Sequence, residues 1–196
     1  MTDLFTSPVL LVEQPRRYFI DESEYHVHDP QGRPLAHVGE LNLNAGRRVL
    51  RFVAKDTSNF RRTLQVRAPD GRPLLIIDKQ FGFVTPRTLI NLPDGRPIGR
   101  IDQEFTLLKP KFRLLDAHER PIGEITGDFT GWDFVINDGH GTEVGRVTKR
   151  FAGLASELLT EADRYAVEFR FQLPDPLRTL VVASGIALDA VLREGK

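Results

Sequence analysis

The chain has 196 residues, of which 27 are basic, 27 are acidic and none is cysteine. The balanced charge gives no bulk field that would draw the protein onto nucleic acid, and the lack of cysteine excludes disulfides, thiolate metal sites and a cysteine nucleophile. With 40% hydrophobic residues the composition is that of a globular protein, and we expect a single domain over residues 1–196.

The N-terminal residues carry no recognisable targeting signal. Residues 1–11 contain Asp3 and lack the basic start and long apolar run of a signal peptide, and no glycine stands at position 2 to accept a myristoyl group. A chain without cysteine also suits a reducing compartment. We therefore expect a cytoplasmic protein.

A short turn sequence recurs along the chain. Its copies are residues 29–34, 70–73, 94–97, 116–121 and a degenerate 137–142. Asp, Asn and Gly favour tight turns, and β-branched and aromatic residues flank each copy. The repeat predicts five β-hairpins.

The segments on either side of the turns alternate apolar and polar residues with the period of a strand. The five copies can be aligned on Arg33, Arg72, Arg96, Arg120 and Thr142, which we call the anchor residues. The sixth residue before the anchor is apolar in every copy: Val27, Val66, Ile90, Leu114 and Ile136. The fifth residue after it is apolar as well: Val38, Ile77, Ile101, Ile125 and Val147. Equivalent positions also hold Gly99, Gly123 and Gly145, and Phe81, Phe105, Phe129 and Phe151. Recurring glycine predicts a bulge or a close backbone approach, which curves a sheet into a barrel.

Five hairpins account for about ten strands of such a barrel. Residues 9–13 and 164–173 are apolar-rich and could close the sheet. Residues 46–54 could form a further strand or a loop, so the strand count between residues 40 and 62 stays open.

One helix is predicted near the C-terminus, from residue 176 to 192. Asp175 can cap it, and Pro176 suits its first position. Residues 177–192 are apolar on nearly every face, so lipid, a partner or the barrel itself must enclose them. The helix reaches roughly 24 Å, short of a bilayer core of about 30 Å, and Asp189 would be costly in lipid. These two facts favour the interior of the barrel.

Several segments resemble one known family. Residues 148–171, TKRFAGLASELLTEADRYAVEFRF, with Ile186 to Asp189 in the helix, resemble the C-terminal signature of phospholipid scramblases and LURP-one-related proteins. Residues 10–14, 25–29 and 60–66 are similar to the first part of the same family.

The resemblance implies a mainly β fold, a tubby-like closed antiparallel barrel of about twelve strands around a central, buried C-terminal helix. It also implies a membrane-associated phospholipid-binding protein, held peripherally at the inner face of the membrane and linked to transbilayer phospholipid movement. The alternative is a soluble signalling or stress-response module that binds a protein or small ligand. Animal scramblases carry a proline-rich arm and a lipidated cysteine cluster, and this sequence has neither.

Two groups of basic residues are candidates for binding anionic lipid headgroups. The first contains Arg47, Arg48, Arg51, Lys55, Arg61 and Arg62, with Asp56 as the nearby acid. The second contains the turn residues Arg33, Arg72, Arg96 and Arg120, which would gather at one end of the barrel if the hairpins point the same way. Asp29, Asp70, Asp94 and Asp116 accompany this second group, so ordinary surface ion pairs are the competing interpretation.

The remaining polar residues predict neither catalysis nor a cofactor. The positions equivalent to the scramblase calcium loop begin with Glu161 and Asp163 but continue with apolar residues and end at Gln172, too few oxygen ligands for calcium. His26 and His28 share a strand face without a visible third ligand, so no metal site is predicted. Without a nucleophile, metal set or acid-base pair, we do not expect an enzyme.

Overall fold

A computed structural model describes residues 3–14, 25–41, 62–80, 87–104, 110–128, 130–149 and 163–192. Its strands are β1 (Val9–Gln14), β2 (Tyr25–His28), β3 (Pro34–Glu40), β4 (Arg62–Arg67), β5 (Pro73–Gln80), β6 (Arg87–Asn91), β7 (Pro97–Glu104), β8 (Lys111–Asp116), β9 (Pro121–Asp128), β10 (Asp133–Asp138), β11 (Glu143–Thr148) and β12 (Asp163–Phe169). A helix, α1 (Leu177–Leu192), follows them.

The strands form a closed antiparallel barrel in which each pairs with its neighbours in sequence. Strand β12 closes the barrel on β1, with Val9 opposite Glu168 and Gln14 opposite Asp163. The five predicted hairpins are confirmed as β2–β3, β4–β5, β6–β7, β8–β9 and β10–β11. All five short turns lie at one end of the barrel, which we call the turn end. The opposite end is the loop end.

The predicted inward face of the strands is confirmed. Side chains of the position six residues before each anchor, Val27, Val66, Ile90, Leu114 and Ile136, are fully buried. Those five residues after it, Val38, Ile77, Ile101, Ile125 and Val147, are buried as well. Both sets belong to one hydrophobic core shared with the helix.

The recurring glycines mark both a bulge and a close approach. Each hairpin skips one residue in register just after its turn, as where Ile90 pairs with Gly99 and Asn91 with Pro97. A Cβ on Gly99 would lie 2.2 Å from the main-chain oxygen of Leu115, and one on Gly123 would lie 2.7 Å from that of Asn137. Both glycines also face leucines of α1. The prediction of a close backbone approach is therefore correct.

Helix α1 lies inside the barrel, as predicted. Its residues from Thr179 to Leu188 are buried. A Cβ on Gly185 would lie 2.4 Å from a methyl group of Val167 on β12, so the glycine sets how closely the helix approaches the wall. The Asp175 carboxylate, predicted to cap this helix, accepts a hydrogen bond of 2.7 Å from the hydroxyl of Thr179 in the first turn. Over the part of the chain described, no helix combines the length and apolar character needed to cross a membrane.

Some predictions fall outside the described ranges or need adjustment. The possible strand at residues 46–54 and the four recurring phenylalanines lie outside those ranges. Strand β12 ends at Phe169, before the end of the segment 164–173 predicted to close the sheet. Residues 170–172 are exposed and lead to the helix that begins at Leu177.

Candidate functional site

The five turns share one geometry, set by local sequence. In each, the first residue donates its N–H to the carbonyl of the fifth, and the fourth donates to the carbonyl of the first, as Asp29, Gly32 and Arg33 show. The fourth residue has a positive φ, 78° at Gly32 and 64° at Glu119. This is the three-residue hairpin loop with a left-handed residue at its end. Four of the five copies satisfy it with glycine.

Aspartates hold these turns by accepting backbone hydrogen bonds. Asp29 accepts from the N–H groups of Gln31 and Arg33 at 2.9 Å each. Burial acts to raise the pKa of Asp29, but the hydrogen bonds from Arg33 and Gln31 outweigh it and leave the pKa below its ordinary value. At Asp138 the backbone hydrogen bond from Thr142 is the leading cause of a lowered pKa. The turn carboxylates are therefore structural.

The four turn arginines lie at the turn end, as the second lipid-binding prediction required. Their side chains are between 63% and 74% exposed. Hairpin tips are two strands apart, so neighbouring tips stand roughly 10 Å apart around the rim. The arginines thus form a ring and do not converge on one pocket.

Each turn arginine also contacts the aspartate of its own turn. The nitrogen-to-oxygen distances are 2.6 Å for Arg33 and Asp29, 2.8 Å for Arg96 and Asp94, and 2.7 Å for Arg120 and Asp116. The pair of Arg72 and Asp70 is looser, at 3.9 Å. Much of the positive charge at this rim is therefore locally compensated, and Arg72 is the least tightly held of the four.

An exposed phenylalanine shares the turn end with these arginines. Phe171 is 52% exposed, and it is the one large hydrophobic side chain exposed to that degree among the described residues. Its place follows from Phe169, whose N–H donates to the carbonyl of Pro8 at the end of β12. The sequence places Phe171 in the apolar-rich segment 164–173 that is predicted to close the sheet. Phe171 lies on the outside because β12 ends two residues before it, which the alternation of apolar and polar residues along the sequence does not indicate.

A buried arginine lies beneath the mouth of the barrel at the same end. Arg178 is 2% exposed, stands 3.3 Å from the centre of the Phe169 ring and donates a hydrogen bond to the carbonyl of Ser7. Burial lowers its pKa to about 10, against the opposing fields of Asp3 and Asp175. The guanidinium thus remains charged at neutral pH.

The N-terminal turn that Arg178 contacts closes this mouth. The Asp3 carboxylate accepts hydrogen bonds from the Phe5 N–H and the Thr6 hydroxyl, both at 2.9 Å. Leu4 is buried in the core. The spacing of Asp3 and Thr6 was a signal for this turn that sequence reasoning did not use.

The other candidate residues occupy varied surroundings. Arg47, Arg48, Arg51, Lys55 and Arg61 lie outside the described residues, and Arg62 begins β4. Of the calcium-loop equivalents, Glu161 also lies outside them, and Asp163 begins β12. The following Tyr165, Val167 and Phe169 are buried in the core, so this segment serves as a strand.

The remaining histidines and the tryptophan do not add to a site. His118 and His140 lie in turns. Trp132 is half-buried at the loop end and packs on Tyr165 with ring centroids 5.1 Å apart. Across the described ranges, no group of three or more histidine, aspartate or glutamate side chains could hold a metal ion.

The family comparison covers the whole barrel. A family model described as Scramblase matches residues 9–194, from the first residue of β1 to beyond the end of α1. No curated protein and no solved structure gave a match.

Proposed function

Because the chain belongs to the Scramblase family, we propose that it is a non-enzymatic, membrane-associated protein that binds phospholipids through the turn end of its barrel. The observation that supports this placement is Phe171, an exposed aromatic side chain at the same end as four exposed arginines. Aromatic rings are favourable at the membrane interface, and guanidinium groups bind phosphate oxygens in pairs of hydrogen bonds.

The four turn arginines should bind lipid phosphate less strongly than unpaired cationic side chains would. Each already contacts a carboxylate, so a lipid phosphate must compete with that pair or use the N–H donors that the pair leaves over. Arg72 is the best placed, since its carboxylate is 3.9 Å away. We therefore expect binding that is weak per arginine and falls as salt rises.

The first basic group, from Arg47 to Arg62, is the other candidate. It belongs to the connection between β3, which ends at Glu40, and β4, which begins at Arg62. Lipid contact through this group would not depend on the residues of the turn end. The two groups are therefore alternatives that one experiment can separate.

The test is flotation of the protein with phosphatidylcholine vesicles, alone or with phosphatidylserine or phosphoinositides. We expect Phe171→Ala and the double variant Arg72→Gln, Arg96→Gln to lower the bound fraction on anionic vesicles, by up to about fivefold per arginine. Arg113→Gln is the matched control, because Arg113 is 57% exposed but lies on the wall in β8.

The outcomes distinguish lipid binding through the turn end from lipid binding through the first basic group. If only the triple variant Arg47→Glu, Arg48→Glu, Arg51→Glu loses binding, lipid binding stands and the turn-end placement is wrong. Equal partitioning with and without anionic lipid, unchanged in every variant, would refute phospholipid binding. That result would favour the soluble signalling or stress-response module, which a single dominant partner or co-purified ligand would then identify.

Transbilayer phospholipid movement is the stricter proposal within this function. Its support is membership of the family. In vesicles carrying a labelled lipid in one leaflet, the protein should speed exchange above the protein-free rate. Exchange at the protein-free rate, with binding intact, would leave a lipid-binding protein without transport.

A further inference from the structure

A row of polar side chains crosses the outer face of the barrel where it closes. Glu13 on β1 stands opposite Arg164 on β12 and opposite His26 on β2. His26 in turn stands opposite His37 on β3. Glu13 is engaged by Arg164, whose Nη2 lies 2.5 Å from its carboxylate. The two histidines are therefore left facing one another on the surface.

The two imidazoles point the same nitrogen at each other. Nδ1 of His26 and Nδ1 of His37 are 2.9 Å apart, and the rings are perpendicular with centroids 4.9 Å apart. His37 is exposed and His26 half-buried, so solvent reaches the pair. Such a distance suits either a hydrogen bond between a donor and an acceptor nitrogen or joint coordination of one metal ion.

The distance fits the angle between neighbouring ligands of a tetragonal ion. Nitrogens 2.9 Å apart, each about 2.0–2.1 Å from a common ion, subtend close to a right angle at it. Tetrahedral zinc would need the nitrogens about 3.3 Å apart. A right angle is the geometry of tetragonal copper(II) and nickel(II) sites, and copper(II) binds nitrogen ligands more tightly than nickel(II) does.

We propose that His26 and His37 form a surface site for a tetragonal divalent transition metal ion, copper(II) in the first place. Water completes the coordination, since the described residues supply no third protein ligand close enough. His28 stacks on His26 on the same face, with ring centroids 6.2 Å apart. A change of the His28 rotamer would let His28 coordinate the ion as well. The cross-strand partner His37 is the ligand that sequence alone did not reveal.

The test is copper(II) titration of the tag-free chain in a non-coordinating buffer with glycine as competitor, followed by calorimetry and electron paramagnetic resonance. We expect one site per chain with a nitrogen-coordinated tetragonal spectrum. His37→Ala removes one of the two protein ligands and should weaken binding at least about tenfold, the lower end of the losses that changes around metal ligands cause. Nickel(II) should bind the same site more weakly.

Matched controls separate this site from other copper ligands. His118 and His140 are turn histidines, so the double variant His118→Ala, His140→Ala should bind copper(II) as the parent does. Copper bound by a His26→Ala, His37→Ala variant measures the contribution of the amino terminus and of all other side chains together. Because His37 is exposed, its variant should keep the parental melting temperature. Equal copper affinity in the parent and His37→Ala would overturn the proposal, as would a preference for zinc(II) over copper(II).

Discussion

Replacing Gly99 with alanine should destabilise the barrel strongly, because the added methyl group meets backbone. The new Cβ would stand 2.2 Å from the main-chain oxygen of Leu115, 3.3 Å from Cα of Asp116 and 3.1 Å from a methyl of Leu180. Leu115 and Asp116 belong to β8, which is paired with β7 at this point. Since a paired backbone cannot rotate away as a side chain can, we expect a cost near the upper end of overpacking effects, about 3 kcal/mol. That corresponds to a fall in melting temperature of about 6–12 °C.

Gly39→Ala is the matched control for this substitution. Gly39 also lies in a strand, but no atom comes within 4 Å of its added Cβ. We expect it to be neutral or stabilising by up to about 1 kcal/mol. Both variants can be compared by urea denaturation, followed by the fluorescence of Trp132, the single tryptophan of the chain. A loss at Gly99→Ala no larger than at Gly39→Ala would show that this close approach does not constrain the barrel.

Two further predictions concern the turns. Glu119→Gly should raise the free energy of unfolding by about 0.5 kcal/mol, because φ is 64° at this position and glycine adopts a positive φ without strain. The substitution also removes the ion pair with Arg100, but the Glu119 side chain is exposed, so that loss is small. Glu119→Ala loses the same ion pair but keeps a Cβ, so a matching gain in that variant would contradict the backbone explanation. For Asp29, whose pKa is lowered on folding, stability is present above the ordinary carboxyl pKa near 4 and is lost as pH falls through the folded value. The difference in urea unfolding midpoint between the parent and Asp29→Asn should therefore be smaller at pH 3 than at pH 7. An equal difference at both pH values would show that the charge of Asp29 is not what stabilises the turn.

Much of the barrel could be predicted from sequence because its hairpins are local. A turn, its aspartate and the alternating apolar residues beside it lie within a short stretch of chain, as residues 90–101 show. Strand pairing within a hairpin then follows from the turn. The closure of β12 on β1 was less certain from pattern alone, because these strands are distant in sequence and nothing local sets their register.

The surface sites were less predictable for the same physical reason. The turn arginines were placed correctly at one end, because the hairpins repeat. Their pairing with Asp29, Asp94 and Asp116 is side-chain geometry that composition only suggested. Arg178 shows the limit, since its hydrogen bond to the carbonyl of Ser7 joins residues from opposite ends of the chain.

By itself, the sequence determined the strands, the turns and an apolar helix too short to span a bilayer comfortably, because each depends on neighbours along the chain. Only the tertiary structure decided which residues meet where the barrel closes and which side chains touch within each hairpin. Closure of the barrel left Phe171 exposed at the rim and buried Arg178 beneath the N-terminal turn. The register of the β2–β3 hairpin set His37 against His26. Those contacts depend on strand register and on where each strand ends, and the alternation of hydrophobic residues along the chain predicts neither.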